Sequence, residues 1–433
     1  MVRGLRSSLD SSETVKYPHD MTTFALTELL GRPVVDAAGN AAGRLRELVL
    51  APQEDRARIS SFIVKTKSGD RMLPFQGITA VNSSLHTSSN SSEWKAPDGT
   101  EGFLLLGRDL LDQQVIDVHG RKVVRVNDVD LHQDIVDDRV VLRVGSVDVG
   151  LRGAIRRLLK GVVPMPALKT VLRQIPERPI PWDFVDLIET DPARRVKLKI
   201  SHERLAKLHP ADIADIVEEL APDEREAVFE TLDEQVAAGA LEEVDPKVQK
   251  AIVESLDSDR AADIVEEMDP DAAADLLGDL TEERTSQILR EMAPEERKEM
   301  AELLEFKENT AAGRMNTEYL ALDLNATAQE AIDALRDFEG GVETVNTMYL
   351  VDSNGTLAGA VPLIQLVIGN PEDQLISLSQ EPLISCEEHT GEIEVAELFD
   401  KYNLLTLPVV DKHKKLVGVI TSDDVISMLR SKL

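Results

Sequence analysis

The chain is 433 residues long, with 79 Asp/Glu against 48 Lys/Arg, a formal net charge of −31 and a hydrophobic share of 42%. That length has room for two to four domains with cores of their own, and the acid argues against nucleic acid as a partner. The single cysteine, Cys386, excludes an internal disulfide and suits a reducing compartment. No apolar run approaches the ~20 residues needed to span a bilayer. Met1–Met21 carries no secretory pattern either, so the expected location is cytoplasmic.

Residues 24–106 alternate short apolar stretches with turn signals. Leu30–Asp36 leads into the turn Ala38-Gly39-Asn40, and Gly43–Leu50 and Ser61–Val64 come next. Turns about ten residues apart predict a small β-barrel. Residues 81–101, rich in Ser, Asn and Gly, read as a long exposed loop. Residues 107–150 restate the opening as Leu111–Asp117, His119-Gly120 and Lys122–Val129. This order of strand, Asp/His-Gly turn and strand resembles the PRC-barrel family, as do Gly31-Arg32-Pro33-Val34-Val35-Asp36 and Gly43-Arg44-Leu45 in the first copy. The resemblance implies two small adaptor segments without catalytic residues.

Residues 151–200 reverse the sign of the charge. From Leu151 to Ile180, Arg152, Arg156, Arg157, Lys160, Lys169, Arg173 and Arg178 face Glu177 alone, and Ile155, Leu158 and Leu159 make one face of a short basic helix. Three readings stay open: a linker docked on the neighbouring acidic region, contact with anionic lipid headgroups, or a nucleic-acid patch. No aromatic residues interleave with the bases, which disfavours the last.

Residues 201–310 repeat every twelve residues, with anchors at Leu208, Leu220, Leu232, Val244, Leu256, Met268, Leu280 and Met292. Two residues after the anchor stands Pro210, Pro222, Pro246, Pro270 or Pro294. Apolar pairs such as Ile216-Val217 and Ile264-Val265 complete the unit. Proline at the first helical position forfeits no hydrogen bond, so each unit predicts one short helix. Such helices bury their apolar faces only by stacking, which predicts an acidic α-helical solenoid. This region holds 33 Asp/Glu against 11 Lys/Arg, a balance of −22. A solvated acidic face is one reading; carboxylates that gather hard cations are the other.

Residues 315–433 contain two βαββα units, about 315–370 and 380–433. In the second, Leu407-Pro408-Val409-Val410 and Leu416–Ile420 are strands and Asp423–Leu429 is a helix; Met348–Val351, Leu357–Val361 and Pro362–Ile368 repeat that order. The fold class expected is therefore multidomain α+β.

Leu208-His209-Pro210-Ala211-Asp212-Ile213-Ala214-Asp215 resembles the start of the N-terminal cytosolic domain of MgtE magnesium transporters. Asn309-Thr310-Ala311-Ala312-Gly313-Arg314-Met315-Asn316-Thr317-Glu318-Tyr319 resembles that family's junction into its CBS domains. Leu407-Pro408-Val409-Val410-Asp411 and Gly418-Val419-Ile420-Thr421-Ser422-Asp423-Asp424 carry the CBS signature. The resemblance implies Mg²⁺ bridging carboxylates of the helical domain and the CBS pair. Carried over by residue, Asp271 and Asp275, four apart on one helical face, and Asp424 are the metal ligands. Asn403, Ser427 and Gly239 stand where further ligands are expected, which implies fewer ions or weaker binding. The bland alternative for Asp271 is an acid favoured by the helix dipole.

The resemblance to CBS domains also implies adenylate binding, ATP or AMP, at Gly418, Thr421 and Asp424. Pro362 and Gln365 replace the hydroxyl and carboxylate in the first unit, and Thr421 with Asp424 also reads as a helix cap. MgtE transporters continue into a membrane pore that does not occur here before Leu433. The expectation is thus a Mg²⁺-responsive regulatory module, other divalent cations being open, that acts on a separate divalent-cation transporter. It would lie in the cytoplasm, peripheral on the inner membrane face if the basic segment meets lipid. The competing reading is an adenine-nucleotide-sensing scaffold without metal sensing. Both include a homodimer through the CBS domains. No P-loop, GxSxG or HExxH occurs, so no enzyme is expected.

Overall fold

The computed structural model describes residues 22–430 except 98, 101, 137–138, 159–177, 190, 192–201, 307–308, 339 and 341–343. The bases Lys160, Lys169 and Arg173, and the Met1–Met21 segment, therefore lie outside the described residues. Contacts divide the chain into two units, Met1–Thr231 and Leu232–Leu433.

The first unit is strand-rich. Its largest sheet runs Gly69–Pro74, Ile59–Thr66, Ala41–Leu50, Pro33–Val35, Leu85–Thr87, Ile78–Val81, with Leu104–Leu105 also paired to Ala41–Leu50. The Asp36 carboxylate accepts the N–H groups of Ala38 and Asn40 at 3.1 and 2.9 Å, and Gly39 takes φ +82°, so the expected turn is an Asp-anchored one. The exposed loop expected over 81–101 is instead partly structured. Leu85 is fully buried in a strand, and buried Trp94 donates its indole N–H to Ser89 Oγ at 3.0 Å. Two apolar anchors outweigh the polar composition, and the hydroxyls satisfy polar groups that a loop would have left to water.

The segments 24–106 and 107–150 share one core. Thr22–Ala25 pairs antiparallel with Asp128–Val136, and Leu26, Phe62, Leu110, Val129 and Val147 belong to a single buried cluster. Asp128 is wholly buried, accepting from Thr27 N at 3.1 Å and Val129 N at 2.9 Å. Its charge is met by Arg156 Nη1 at 2.9 Å, from the basic helix Leu151–Leu158. Arg156 thus docks this helix on the strand-rich core. For Arg156 the partner is therefore this core and not the acidic helices. The first two helices of the acidic run, Pro210–Glu219 and Pro222–Phe229, fall in this unit. Arg121 pairs with Asp212 at 2.8 Å, and Glu219 accepts Val123 N–H at 2.9 Å.

The second unit begins with six helices: Glu234–Glu243, Pro246–Ser255, Ser258–Glu266, Pro270–Asp279, Glu282–Glu291 and Pro294–Leu303. Each takes the name of its first residue. Alternate helices stack, the Ser258 helix on those of Glu234 and Glu282, and the Pro270 helix on those of Pro246 and Pro294. Scarce bases sit at helix C-termini: Arg284 donates to Val253 O (2.7 Å) and Leu256 O (2.6 Å). Carboxylates sit at N-termini: Glu242 accepts Asp269 N–H at 2.8 Å and Glu266 accepts Ala293 N–H. Both placements satisfy orphan backbone groups and match the helix dipole, which offsets part of the acid's self-repulsion.

Two small sheets complete the unit. Ala321–Asp323, Thr347–Val351 and Leu357–Pro362 form one; Cys386–Glu387, Thr406–Val410 and Leu416–Thr421 form the other. In each the first pair is parallel and the second antiparallel. The two are tied back to back. Tyr349 Oη lies 2.7 Å from Thr406 Oγ1 in the interior, and Leu357 N donates to Lys414 O at 2.9 Å. Tyr349, Leu416 and Val419 form the core between them.

Candidate functional site

The Pro270 helix starts from a proline that places Asp271 in its first turn and Asp275 one turn on. Asp424 lies in the first turn of the last helix, Ser422–Arg430. Asp424 lies near enough for its charge to act on Asp271. Burial first, then the negative charge of Asp424, then Asp269 and Asp275, push the Asp271 carboxyl well above the usual carboxylate range. Burial also raises Asp424, opposed by hydrogen bonding from Thr421 and by the Arg314 charge.

Asp275 has another partner. The Arg314 guanidinium, from the junction turn Ala311–Arg314, pairs with Asp275 through Nη1 and with Glu392 Oε1 at 3.1 Å through Nε. Glu392 opens the helix Glu392–Tyr402, and its side chain is almost fully buried. A cavity of about 70 Å³ lies beside Asp271 and Asp275, walled by Ala274, Leu303, Phe306 and Met315. A narrower cleft beside Arg314 is lined by Thr310, Glu392 and Asp424.

These residues suit a hard cation. Two like-charged carboxylates held together and partly out of water repel unless protonated or joined by positive charge. Among the described residues, no three His, Cys, Asp or Glu side chains converge as a metal-binding group. A cation held by Asp271 and Asp424 would therefore complete its shell with water, as Mg²⁺ commonly does. The cavity beside Asp271 has room for that water.

The expected nucleotide residues have local uses. Thr421 is buried, and both its N–H (3.1 Å) and its hydroxyl donate to the Asp424 carboxylate, closing the start of the last helix. A Cβ at Gly418 would stand 2.6 Å from Met315 Sδ, so this glycine lets the junction pack on the strand. Gly418→Val is expected to lower the stability of this unit by about 1–3 kcal/mol in chemical denaturation. An unchanged midpoint would mean that Met315 yields freely. Asn403, one of the non-acidic substitutions, takes φ +51° just past the Glu392–Tyr402 helix, a conformation Asn tolerates better than most residues.

Arg314 and Glu392 were not legible as site residues. The signal was a single base inside the junction motif and an acid after Gly391, neither of which states its partner. Cys386 is buried, its thiol pushed up to about 12 by burial, and is no nucleophile.

Residues 208–309 match the MgtE intracellular N domain and residues 376–431 the CBS domain. The magnesium transporter MgtE of Thermus thermophilus is 32% identical over 136 residues, covering 31% of this chain and 30% of that protein. The Bacillus subtilis protein of the same name is 28% identical over 134 residues, with the same shares. The chain thus spans about a third of the length of these relatives. Two solved structures agree in fold. A crystal structure of the soluble part of a magnesium transporter superposes with TM-score 0.51 at 26% identity, over 53% of this chain and 91% of that one. The cytosolic domain of the Mg²⁺ channel MgtE in complex with ATP gives 0.50 at 29%, over 54% and 94%. This chain carries an MgtE-type cytosolic region, an N domain followed by CBS domains, behind a strand-rich part. No helix among the described residues is long and apolar enough to cross a membrane.

Proposed function

We propose that this chain is a regulatory module of magnesium transport that responds to divalent cations and acts on a separate membrane transporter. The observation that carries the reading is the Asp271–Asp424 pair. It sets an acid of the N domain against an acid of the last CBS helix, and burial together with the Asp424 charge raises the cost of ionising Asp271. A divalent ion supplies two positive charges and demands oxygen ligands. Asp271 and Asp424 would hold it, and their repulsion would then become a bridge between helical and CBS parts. The cation shifts the equilibrium only by binding the docked state better than the open one. Catalysis has no part in this reading.

The test is a MgCl₂ titration over the millimolar range at constant ionic strength, tracked by thermal stability and scattering radius. Saturable compaction, lost in Asp424→Ala, supports the sensor; a response no larger than that to monovalent salt rejects it.

A second copy of the chain is the proposed partner. Val367 and Ile426 occupy matching places in the two CBS units and are 74% and 66% exposed, with exposed Ile368 and Leu429 nearby in sequence. Apolar exposure of this kind marks an interaction surface. Val367→Asp/Ile426→Asp should convert a dimer to a monomer in sedimentation, and an unchanged mass would reject this face. The strand-rich part is read as a PRC-barrel-like adaptor. Its support is the repeated hairpin, Pro33–Val35 with Ala41–Leu50 and Gln114–Asp117 with Lys122–Arg125. ATP or AMP binding is a second reading, supported by the likeness to a domain solved with ATP. Thr421→Val, which removes a hydroxyl without changing shape, is its test by calorimetric titration with ATP.

A further inference from the structure

We infer that Arg314 is a built-in cation: it holds the Pro270 helix to the CBS helix Glu392–Tyr402 without metal, and so takes the place of one divalent ion. The inference deepens the reading of this chain as a cation-responsive module and rests on it for the role of Asp271 and Asp424. Its own basis is geometric. The guanidinium binds Asp275 on one side and Glu392, 3.1 Å away and nearly buried, on the other. Those two carboxylates belong to two elements, one helical and one CBS, that a bridging ion would otherwise have to join.

Asp271, Asp275, Glu392 and Asp424 bring four carboxylates to this corner, and Arg314 brings one positive charge. A guanidinium is always charged and presents donors in a fixed fork, so the neutralisation it supplies does not depend on ion concentration. Arg314 therefore commits Asp275 to a salt bridge and leaves Asp271 and Asp424 as the pair open to a divalent ion. Without it, Asp275 and Glu392 would each lose an ion pair, one of them in the interior, and docking would come to depend more on added cations. Arg314 is a positioning residue: it sets how many ions are taken and how far the docked state survives in their absence.

The experiment uses the full chain in EDTA and then in Mg²⁺, with Arg314→Gln, Arg314→Lys and the triple variant Asp275→Asn/Arg314→Gln/Glu392→Gln. Hydrogen exchange of the Pro270–Asp279 and Glu392–Tyr402 segments reads docking, and calorimetric titration reads stoichiometry. In EDTA, Arg314→Gln should exchange at least tenfold faster in both segments than wild type, while Arg314→Lys and the triple variant stay close to it. In Mg²⁺, Arg314→Gln should regain protection and bind one ion more per chain than wild type. Wild-type exchange for Arg314→Gln in EDTA would overturn the inference, as would fast exchange in the triple variant, which would make the loss one of packing. A wild type indifferent to Mg²⁺ beside an Arg314→Gln variant that Mg²⁺ re-docks would reject the sensor reading and uphold this one.

Discussion

Arg156→Met should be the most damaging single substitution outside the apolar core, lowering the stability of the strand-rich unit by about 3–5 kcal/mol. Asp128 is wholly enclosed, and its remaining donors are the N–H groups of Thr27 and Val129 and the Thr27 hydroxyl. Those groups orient a carboxylate, but Arg156 is the full positive charge beside it, 2.9 Å away. Removing that charge leaves a buried anion, which costs far more than the pair itself contributes. The nearby Asp130, 3.9 Å from the same nitrogen, would add repulsion. The double variant Asp128→Asn/Arg156→Met removes both charges and should recover at least half of the loss in a double-mutant cycle. A single-variant loss below about 1 kcal/mol in denaturant unfolding would show that water reaches Asp128 when the helix lifts.

That pair also marks where the sequence stops being readable. The periodicity of proline and apolar pairs announced the helices, because a helix's own residues decide where it can begin; Pro210, Pro246 and Pro270 stand at first helical positions. The βαββα order was legible for the same reason, as buried strands such as Thr406–Val410 are continuous apolar runs. The destination of Arg156 was not. A basic amphipathic helix fits an acidic surface, a lipid surface or a single buried aspartate equally well, and only the fold says which lies beneath it. Thr22–Ala25 crossing to pair with Asp128–Val136 is likewise a choice among sheet edges, and strand sequence specifies face far better than partner. At the site, Asp271 and Asp424 were carried over from the family resemblance, whereas Arg314 and Glu392 came from three-dimensional contact. Ion pairs between residues far apart in sequence leave no periodic trace.

Asp271→Asn should raise the thermal midpoint of the metal-free protein and abolish its response to Mg²⁺. The carboxyl is pushed up by burial and by Asp424, so the folded state binds its proton more tightly than the unfolded chain does. The stability linked to that proton is fully present below the unfolded carboxylate value, near 4, and is lost as pH rises through the higher folded value. Once pH has risen through that folded value the wild type carries the cost of an ionised, repelled Asp271, and asparagine removes it. The gain should be about 1 kcal/mol, or roughly 2–4 °C for a unit of this size. Divalent ions compete with the proton, so Mg²⁺ should stabilise the wild type more at pH 8 than at pH 5. The variant should have a flatter pH profile than wild type, and Mg²⁺ should move its midpoint no further than the same ionic strength of NaCl. Equal Mg²⁺ shifts in both proteins would place the ion elsewhere on the acidic helices. A variant less stable than wild type in EDTA would mean that the Asp271 carboxylate is already neutralised by a neighbour, and the repulsion that motivates the sensor would not exist.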